Sequence, residues 1–157
     1  MTDSSIQHLK LEEFHKARGA RFVPFAGWHM PVQYTSIIQE HMTVRKRAGL
    51  FDVSHMGEVR VAGKDAVRYL NHLLTNSFDS LQVGRSRYAL MCAPDGGVVD
   101  DLIVYRLEGD EYLVCVNASN RVKDVDWMKA QAAGFEVEVE DQSDRWGLLA
   151  LQGPDSE

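Results

Sequence analysis

The chain has 157 residues, of which 45% are hydrophobic, and carries a formal net charge of −6 at pH 7. This length and composition are typical of a globular protein that buries a sizeable core, and they exclude fibrous and low-complexity classes. The acidic balance argues against a nucleic-acid partner. No apolar run approaches the roughly 18 residues of a membrane-spanning helix, and no secretory-type apolar segment is visible. We therefore expect no membrane partner and a cytoplasmic location.

The first 50 residues contain two helix candidates separated by an extended stretch. Residues 6–16 have only mediocre helical periodicity, and residues 21–28 are expected to be extended. Residues 36–47 form the better candidate, because Ser36 and Gln39 fit the spacing of a capping box and Gly49 is a natural stop.

The middle of the chain alternates between strand and helix patterns. In order, it predicts a strand at 57–62, a helix at 65–74, strands at 86–92, 98–106 and 111–116, a helix from Ser119 to Ala133, and an extended segment at 135–139. Consecutive strands joined by tight turns form antiparallel sheets. The predicted class is therefore α+β, an antiparallel sheet with covering helices.

Two adjacent aspartates, Asp100 and Asp101, interrupt a run that otherwise has the pattern of a buried strand. Strand side chains alternate between faces, so Asp101 should share a face with Val99 and Ile103, and Asp100 should lie on the other. A carboxylate on a largely apolar face is costly unless it is paired, hydrogen-bonded or functional. The alternative is that both acids lie at the mouth of a hairpin, where they are solvated or cap backbone groups.

Cysteines and histidines give no sign of a metal centre. Cys92 and Cys115 both occur in strand-like apolar runs and are expected to be buried free thiols. No C-x-x-C or H-E-x-x-H spacing is present, so no metal ligands are predicted.

Several motifs occur together in the order and at the spacing of one known family. They are Gly19-Ala20-Arg21-Phe22-Val23-Pro24-Phe25-Ala26-Gly27-Trp28, Met30-Pro31-Val32-Gln33-Tyr34, Gly49-Leu50-Phe51-Asp52-Val53-Ser54-His55-Met56-Gly57-Glu58, Leu73-Leu74-Thr75-Asn76, Gly96-Gly97-Val98-Val99-Asp100-Asp101, Val116-Asn117-Ala118-Ser119-Asn120 and Leu151-Gln152-Gly153-Pro154. Together they make the chain resemble the aminomethyltransferase (T-protein) of the glycine cleavage system, from about Leu11 to Pro154.

The resemblance implies a folate-binding, T-protein-like fold that is truncated here, because proteins of this family are more than twice as long. It also implies a domain organisation. Residues 1–52 and 140–157 would form an incomplete first domain, and residues 53–139 an inserted α+β domain.

The family's activity is expected of the complete protein. An aminomethyl group on the lipoyl arm of the H-protein is transferred as a one-carbon unit to tetrahydrofolate, with release of ammonia. The resemblance implies tetrahydrofolate as co-substrate and the lipoylated H-protein as partner. Other folate-binding residues of the family lie beyond Glu157, so we expect the fragment to be inactive alone. An incomplete domain also exposes apolar surface, which predicts a homo-oligomer.

Four positions match functional residues of the family. Asp101 corresponds to the catalytic carboxylate that assists attack by the folate nitrogen, with Asp100 in a supporting role at most. Tyr88, Met56 and Asn117 correspond to folate contacts. Each has a structural alternative: a surface strand aromatic for Tyr88, a core filler for Met56, and a cap at the start of the next helix for Asn117.

Two other functions remain open from the sequence. The chain could be the folate-binding domain of a related sarcosine or dimethylglycine oxidoreductase or demethylase, which shares the folate pocket but not the lipoyl partner. It could also be a non-enzymatic relative linked to iron–sulfur assembly. The presence of Asp101 argues against the second, since those proteins lack the catalytic aspartate.

Overall fold

The computed structural model describes residues 6–157, so the first five residues of the predicted 1–52 segment lie outside the described range. The strands are β1 (Gln7–His8), β2 (Arg21–Phe25), β3 (Trp28–Gln33), β4 (Gly49–Asp52), β5 (Gly57–Ala62), β6 (Ser86–Cys92), β7 (Val98–Glu108), β8 (Glu111–Val116), β9 (Glu138–Asp141) and β10 (Leu149–Gln152). The α-helices are α1 (Glu12–Ala17), α2 (Ile37–Lys46), α3 (Ala66–Leu73) and α4 (Arg121–Gln131). Short 3₁₀ turns occupy Ala118–Asn120 and Ser143–Arg145.

The chain divides into two compact units. One comprises the chain up to His55 together with Gly147–Glu157, and the other is Met56–Trp146. The second unit extends beyond the segment 53–139 because β9 pairs with β5 as far as the register of Asp141 with Val59. The assignment of two domains in the complete protein stays a prediction.

The Met56–Trp146 unit contains a five-stranded sheet in the order β6-β7-β8-β5-β9, in which every neighbouring pair is antiparallel. Helices α3 and α4 bury Tyr69, Leu70 and Met128 in the same core as Val104 and Val114 of the sheet. The predicted strand and helix order and the α+β class are confirmed. The strands have apolar residues at alternate positions, and α3 has an apolar stripe. These surfaces pack together as one core between the sheet and the helices.

The other unit holds two smaller sheets. β3 lies between β1 and β2, pairing parallel with β1 and antiparallel with β2, and β10 pairs antiparallel with β4. The helix expected over residues 6–16 is wrong in its first half. Gln7 and His8 form a strand on β3, and the helix begins at Glu12, because strand pairing takes the backbone groups that a helix would need.

The predicted cap at Ser36 is wrong, and the helix predicted from Ser119 begins later. Ser36 precedes α2 without a side-chain cap, and Glu40 instead accepts the backbone N–H groups of Tyr34, Thr35 and Ser36 at 2.9, 2.7 and 3.2 Å. Ser119 lies within a 3₁₀ turn, so α4 begins at Arg121. A carboxylate one turn into the helix reaches back to three donors at once, which a serine hydroxyl cannot do.

Cys92 and Cys115 are free thiols, as predicted, but only Cys115 is buried, whereas Cys92 is partly exposed. Burial raises the pKa of Cys115 to about 11. None of the helices between residues 6 and 157 has the length and hydropathy needed to cross a lipid bilayer.

Candidate active site on the β6–β7 hairpin

A tight hairpin presents the two adjacent aspartates. In the turn Pro94-Asp95-Gly96-Gly97, Asp95 Oδ1 accepts the backbone N–H of Gly97 at 2.9 Å, and Gly96 has a φ of +86° that favours glycine. In the ladder that follows, Asp100 pairs with Met91 and Asp101 with Leu90.

The aspartates point to opposite faces of β7, as predicted. Asp100 is 6% exposed and lies on the core side with Leu102 and Val104, whereas Asp101 is exposed on the other side with Ile103. The core side is the one covered by α3 and α4. The carboxylate held among apolar groups is therefore Asp100, and Asp101 faces outward.

Asn117 fixes the Asp101 carboxylate. Its side-chain amide donates to the Asp101 backbone carbonyl at 2.9 Å and approaches Asp101 Oδ1 at 3.3 Å. Asn117 makes no side-chain cap to the following 3₁₀ turn, so the capping interpretation is wrong. The residue acts across the strands instead.

Tyr88 lies on the same outer face, diagonal to Asp101, because it pairs with Ile103 in the β6–β7 register. Its side chain is 55% exposed. Partial desolvation, followed by the nearby charge of Asp101, raises the pKa of the Tyr88 hydroxyl. Tyr88 and Asp101 are thus close enough to interact.

Met56, the fourth predicted site residue, lies outside the strands of the sheet. It is half-buried and comes directly before β5, whose Gly57 pairs with Val116, the residue that precedes Asn117. The fold therefore brings Met56 and Asn117 to the same end of the β5–β8 pair.

Behind Asp101, a polar network connects the sheet to helix α4. Asp100 Oδ1 accepts the amides of Asn117 at 3.1 Å and Asn120 at 2.9 Å. The Asp124 carboxyl group of α4, whose side chain is completely buried, lies beside Asp100. The Lys123 ammonium is 3.5 Å from Asp124 Oδ1.

Of the two buried carboxyl groups, Asp124 is the one that holds a proton below about pH 7. Burial and then the neighbouring Asp100 raise the pKa of Asp124 to about 7. Burial also raises the pKa of Asp100, but hydrogen bonds from Asp124, Asn117 and Asn120 outweigh it and leave the pKa below its ordinary value. Asp124 therefore donates, and Asp100 is the ionised acceptor.

The unit that contains the N-terminal strands has a cavity of about 640 Å³. Most of its lining is apolar, including Phe25, Met30 and Phe51. At its wall, His15 bonds through Nδ1 to Tyr34 Oη at 2.6 Å and through Nε2 to Asp52 Oδ2 at 2.9 Å. The backbone N–H of Ser54 donates to the other Asp52 oxygen at 3.0 Å, so this carboxylate serves the structure of its own unit.

A family model, GCVT N-terminal domain, matches residues 11–157. The chain belongs to the GCVT N-terminal domain family. An aminomethyltransferase of Desulfitobacterium hafniense is 50% identical over 96% of this chain and 41% of its own length. An aminomethyltransferase of Bacillus subtilis is 49% identical over 97% of this chain and 42% of its own length.

The crystal structure of glycine cleavage system aminomethyltransferase T from Bartonella henselae has a TM-score of 0.90 and 39% identity to this GCVT chain. The match covers 97% of this chain and 42% of that one, and it confirms the T-protein-like fold. The chain spans about two fifths of the length of the curated relatives above.

The sequence patterns did not indicate two residues of the polar network around Asp100. Asn120 and Asp124 follow Asn117 at intervals of three and four residues. In a helix this spacing places side chains on one side, and Asp124 precedes the buried Val125. The available sequence signal for Asp124 was an acidic residue next to a buried apolar position of a helix. Val122 of the same helix is apolar but 74% exposed, so apolar residues alone do not mark the buried side.

Proposed function

We propose that this chain carries the catalytic strand of a glycine cleavage aminomethyltransferase, which transfers the one-carbon unit of an aminomethyl-lipoyl carrier protein to tetrahydrofolate and releases ammonia. The observation that carries the proposal is Asp101, an exposed carboxylate oriented by Asn117 beside the Tyr88 ring. The names of the relatives support it. A lipoylated H-protein as the donor and a cytoplasmic location belong to the same proposal.

The outer face of β6 and β7 suits a flat, partly polar co-substrate. Tyr88 and Ile103 are exposed and offer apolar surface to a ring system, and Asp101 is an acceptor for its N–H groups. When bound, tetrahydrofolate supplies the nitrogen that receives the one-carbon unit. The role of Asp101 is to stabilise positive charge that develops on that nitrogen or to accept its proton.

Asn117 positions the Asp101 carboxylate and also contacts the buried Asp100. The same amide contacts Asp101 and Asp100, so the geometry of the outer carboxylate is coupled to the buried pair on the other face. A catalytic group held by a supporting hydrogen bond loses less freedom on binding substrate.

Folate binding by the chain tests the proposal. In a titration with a stable reduced folate followed by tryptophan fluorescence, we expect saturable binding that Asp101→Asn weakens at least tenfold. The reason is that a hydrogen bond to a charged partner contributes about 1.5–3 kcal/mol. Asp110→Asn removes the same charge from the exposed β7–β8 turn and is expected to leave the affinity unchanged.

Absence of saturable binding, or equal affinities of the parent and Asp101→Asn, would contradict the proposed site. Binding of the lipoylated H-protein distinguishes the aminomethyltransferase from a folate-binding domain of an oxidoreductase, since only the former uses that partner.

Self-association is the other part of the proposal. Phe25, Leu50, Leu149 and Leu151 are each more than half exposed in the unit that contains the N-terminal strands. Exposed apolar groups in this number favour burial against a second copy. We expect light scattering to give a mass above 17.7 kDa that rises with concentration, and a constant monomer mass would contradict this expectation.

A further inference from the structure

Three potential metal ligands from separate elements converge in the N-terminal region. His8 Nδ1 on β1 is 2.5 Å from Glu12 Oε2 on α1, and His29 Nδ1 on β3 is 3.3 Å from Glu12 Oε1. One ligand atom from each residue lies within 4.8 Å of the others. This cluster belongs to a different unit from Asp101 and contains none of the residues of the proposed active site.

The local fold explains why these side chains meet. The parallel β1–β3 pair places His8 directly beside His29, and Glu12 follows His8 by four residues. Phe22 stacks against the His29 ring with centroids 4.5 Å apart, which fixes the orientation of that imidazole. The spacing of these residues in the sequence did not predict the cluster, because His29 comes close to His8 only through strand pairing.

We propose that His8, Glu12 and His29 bind a divalent transition-metal ion of the zinc type. Two imidazole nitrogens and one carboxylate oxygen form the donor set of open zinc sites, which leave the remaining positions to water. Two ligand atoms that each lie about 2.0–2.1 Å from a tetrahedral zinc ion are about 3.3 Å from each other. His29 Nδ1 and Glu12 Oε1 are separated by 3.3 Å.

His8 supplies the adjustable side of the site. Its side chain is 56% exposed, against 8% for Glu12 and 31% for His29. The His8 Nδ1 atom lies 2.5 Å from Glu12 Oε2, which is closer than two ligands of one zinc ion approach each other, so the exposed His8 ring moves outward when the ion binds. The same exposure gives an ion access from solvent.

A lysine ammonium competes for this site. Lys16 Nζ is 2.7 Å from Glu12 Oε1, the oxygen that faces His29, and 2.8 Å from Glu13. The ammonium thus compensates the charge that a metal ion would compensate. Lys16 is 46% exposed and can turn into solvent when the ion binds.

Zinc binding to the chain, after removal of metals by chelation, tests the proposal. Calorimetric titration with ZnCl₂ at neutral pH is expected to show one ion per chain, with affinity reduced at least tenfold in His8→Ala. Lys16→Gln is expected to bind several-fold more tightly, because the competing cation is gone. His41→Ala removes an exposed histidine from α2 and should change nothing.

His29→Ala also removes the stacking on Phe22, so histidine NMR signals of the unaltered chain provide a second measurement. Zinc is expected to shift the ring signals of His8 and His29 and to leave those of His41 and His72 in place. The proposal is overturned by a lack of saturable binding, by equal affinity of His8→Ala and the parent, by weaker binding in Lys16→Gln, or by shifts at other histidines.

Discussion

The contribution of Asp124 to the free energy of unfolding of the Met56–Trp146 unit is expected to fall by roughly 4 kcal/mol as the pH rises from about 4 to about 8. Burial and the neighbouring Asp100 raise the pKa of Asp124 from 3.8 to about 7 in the folded chain. A difference of about three units at about 1.36 kcal/mol per unit gives this magnitude.

The sign follows from where the proton is bound. Between these two pKa values the folded unit keeps the proton on Asp124, whereas the unfolded chain has released it. The stabilisation is therefore complete below about pH 3.8 and is lost as the pH rises through about 7. Asp100 contributes with the opposite sign, because its folded pKa is lowered. The contribution of Asp124 is best obtained as a difference between variants.

Asp124→Asn isolates the contribution. An asparagine amide donates to Asp100 as the protonated carboxyl does, at every pH. We expect the variant to match the parent near pH 4 and to exceed its free energy of unfolding by up to roughly 4 kcal/mol at pH 8. Urea denaturation at both pH values measures this, with Trp127 of α4 as the fluorescent reporter.

Asp126→Asn is the matched control, because it makes the same chemical change on the exposed side of α4. Its difference from the parent should be small and independent of pH. If Asp124→Asn gives the same stability difference at pH 4 and pH 8, the buried proton is not located on Asp124.

The same network connects stability to the proposed chemistry. When Asp124 loses its proton, two carboxylates face each other behind β7, and Asp100 is the common acceptor of Asn117 and Asn120. Asn117 also holds Asp101. The buried proton therefore keeps the polar layer behind the outer carboxylate in one arrangement.

Strand alternation was sufficient to predict that Asp100 and Asp101 point to opposite faces, but not which face is buried. Both faces of β7 carry apolar residues, with Leu102 and Val104 on one and Ile103 on the other. The packing of α3 and α4 decides the question, and that is a long-range contact which no local pattern encodes. The strand order was predictable because turns and alternation are local.

Contacts between distant residues account for the other omissions. Asp124 meets Asp100 across a gap of 24 positions in the sequence, and His8 meets His29 through a two-residue strand. Helix caps failed for a related reason. Ser36 fits a local capping motif but makes no side-chain cap, and Glu40 accepts the backbone N–H groups just before the helix instead. The Asn120 side chain likewise donates to Asp100 instead of capping α4.

Replacing His15 with leucine is expected to lower the free energy of unfolding of the unit that contains the N-terminal strands by about 3–5 kcal/mol. The Asp52 side chain is 1% exposed and the His15 side chain 6%, so the substitution leaves a buried carboxylate without its imidazole partner. Because a carboxylate only accepts, His15 Nε2 carries the proton that this pair shares.

Two further variants separate the orphaned charge from lost packing. Tyr34→Phe removes only the hydroxyl of a residue that is 41% exposed and is expected to cost about 1 kcal/mol. Adding Asp52→Asn to His15→Leu removes the unpaired charge and should restore part of the stability. A cost below about 1 kcal/mol for His15→Leu would contradict a stabilising role of the buried hydrogen bond between His15 and Asp52.

The pH dependence gives this prediction an independent check. Burial raises the pKa of Asp52, but bonds from His15 and Ser54 outweigh it and leave the pKa below 3.8. The stabilisation from these bonds is therefore present above about pH 3.8 and is lost as the pH falls through the lower folded pKa. The deficit of His15→Leu, measured by denaturation at pH 7 and again near pH 3, should shrink in acid. That change is opposite to the one for Asp124→Asn, because His15 stabilises an ionised carboxylate whereas the fold keeps Asp124 protonated.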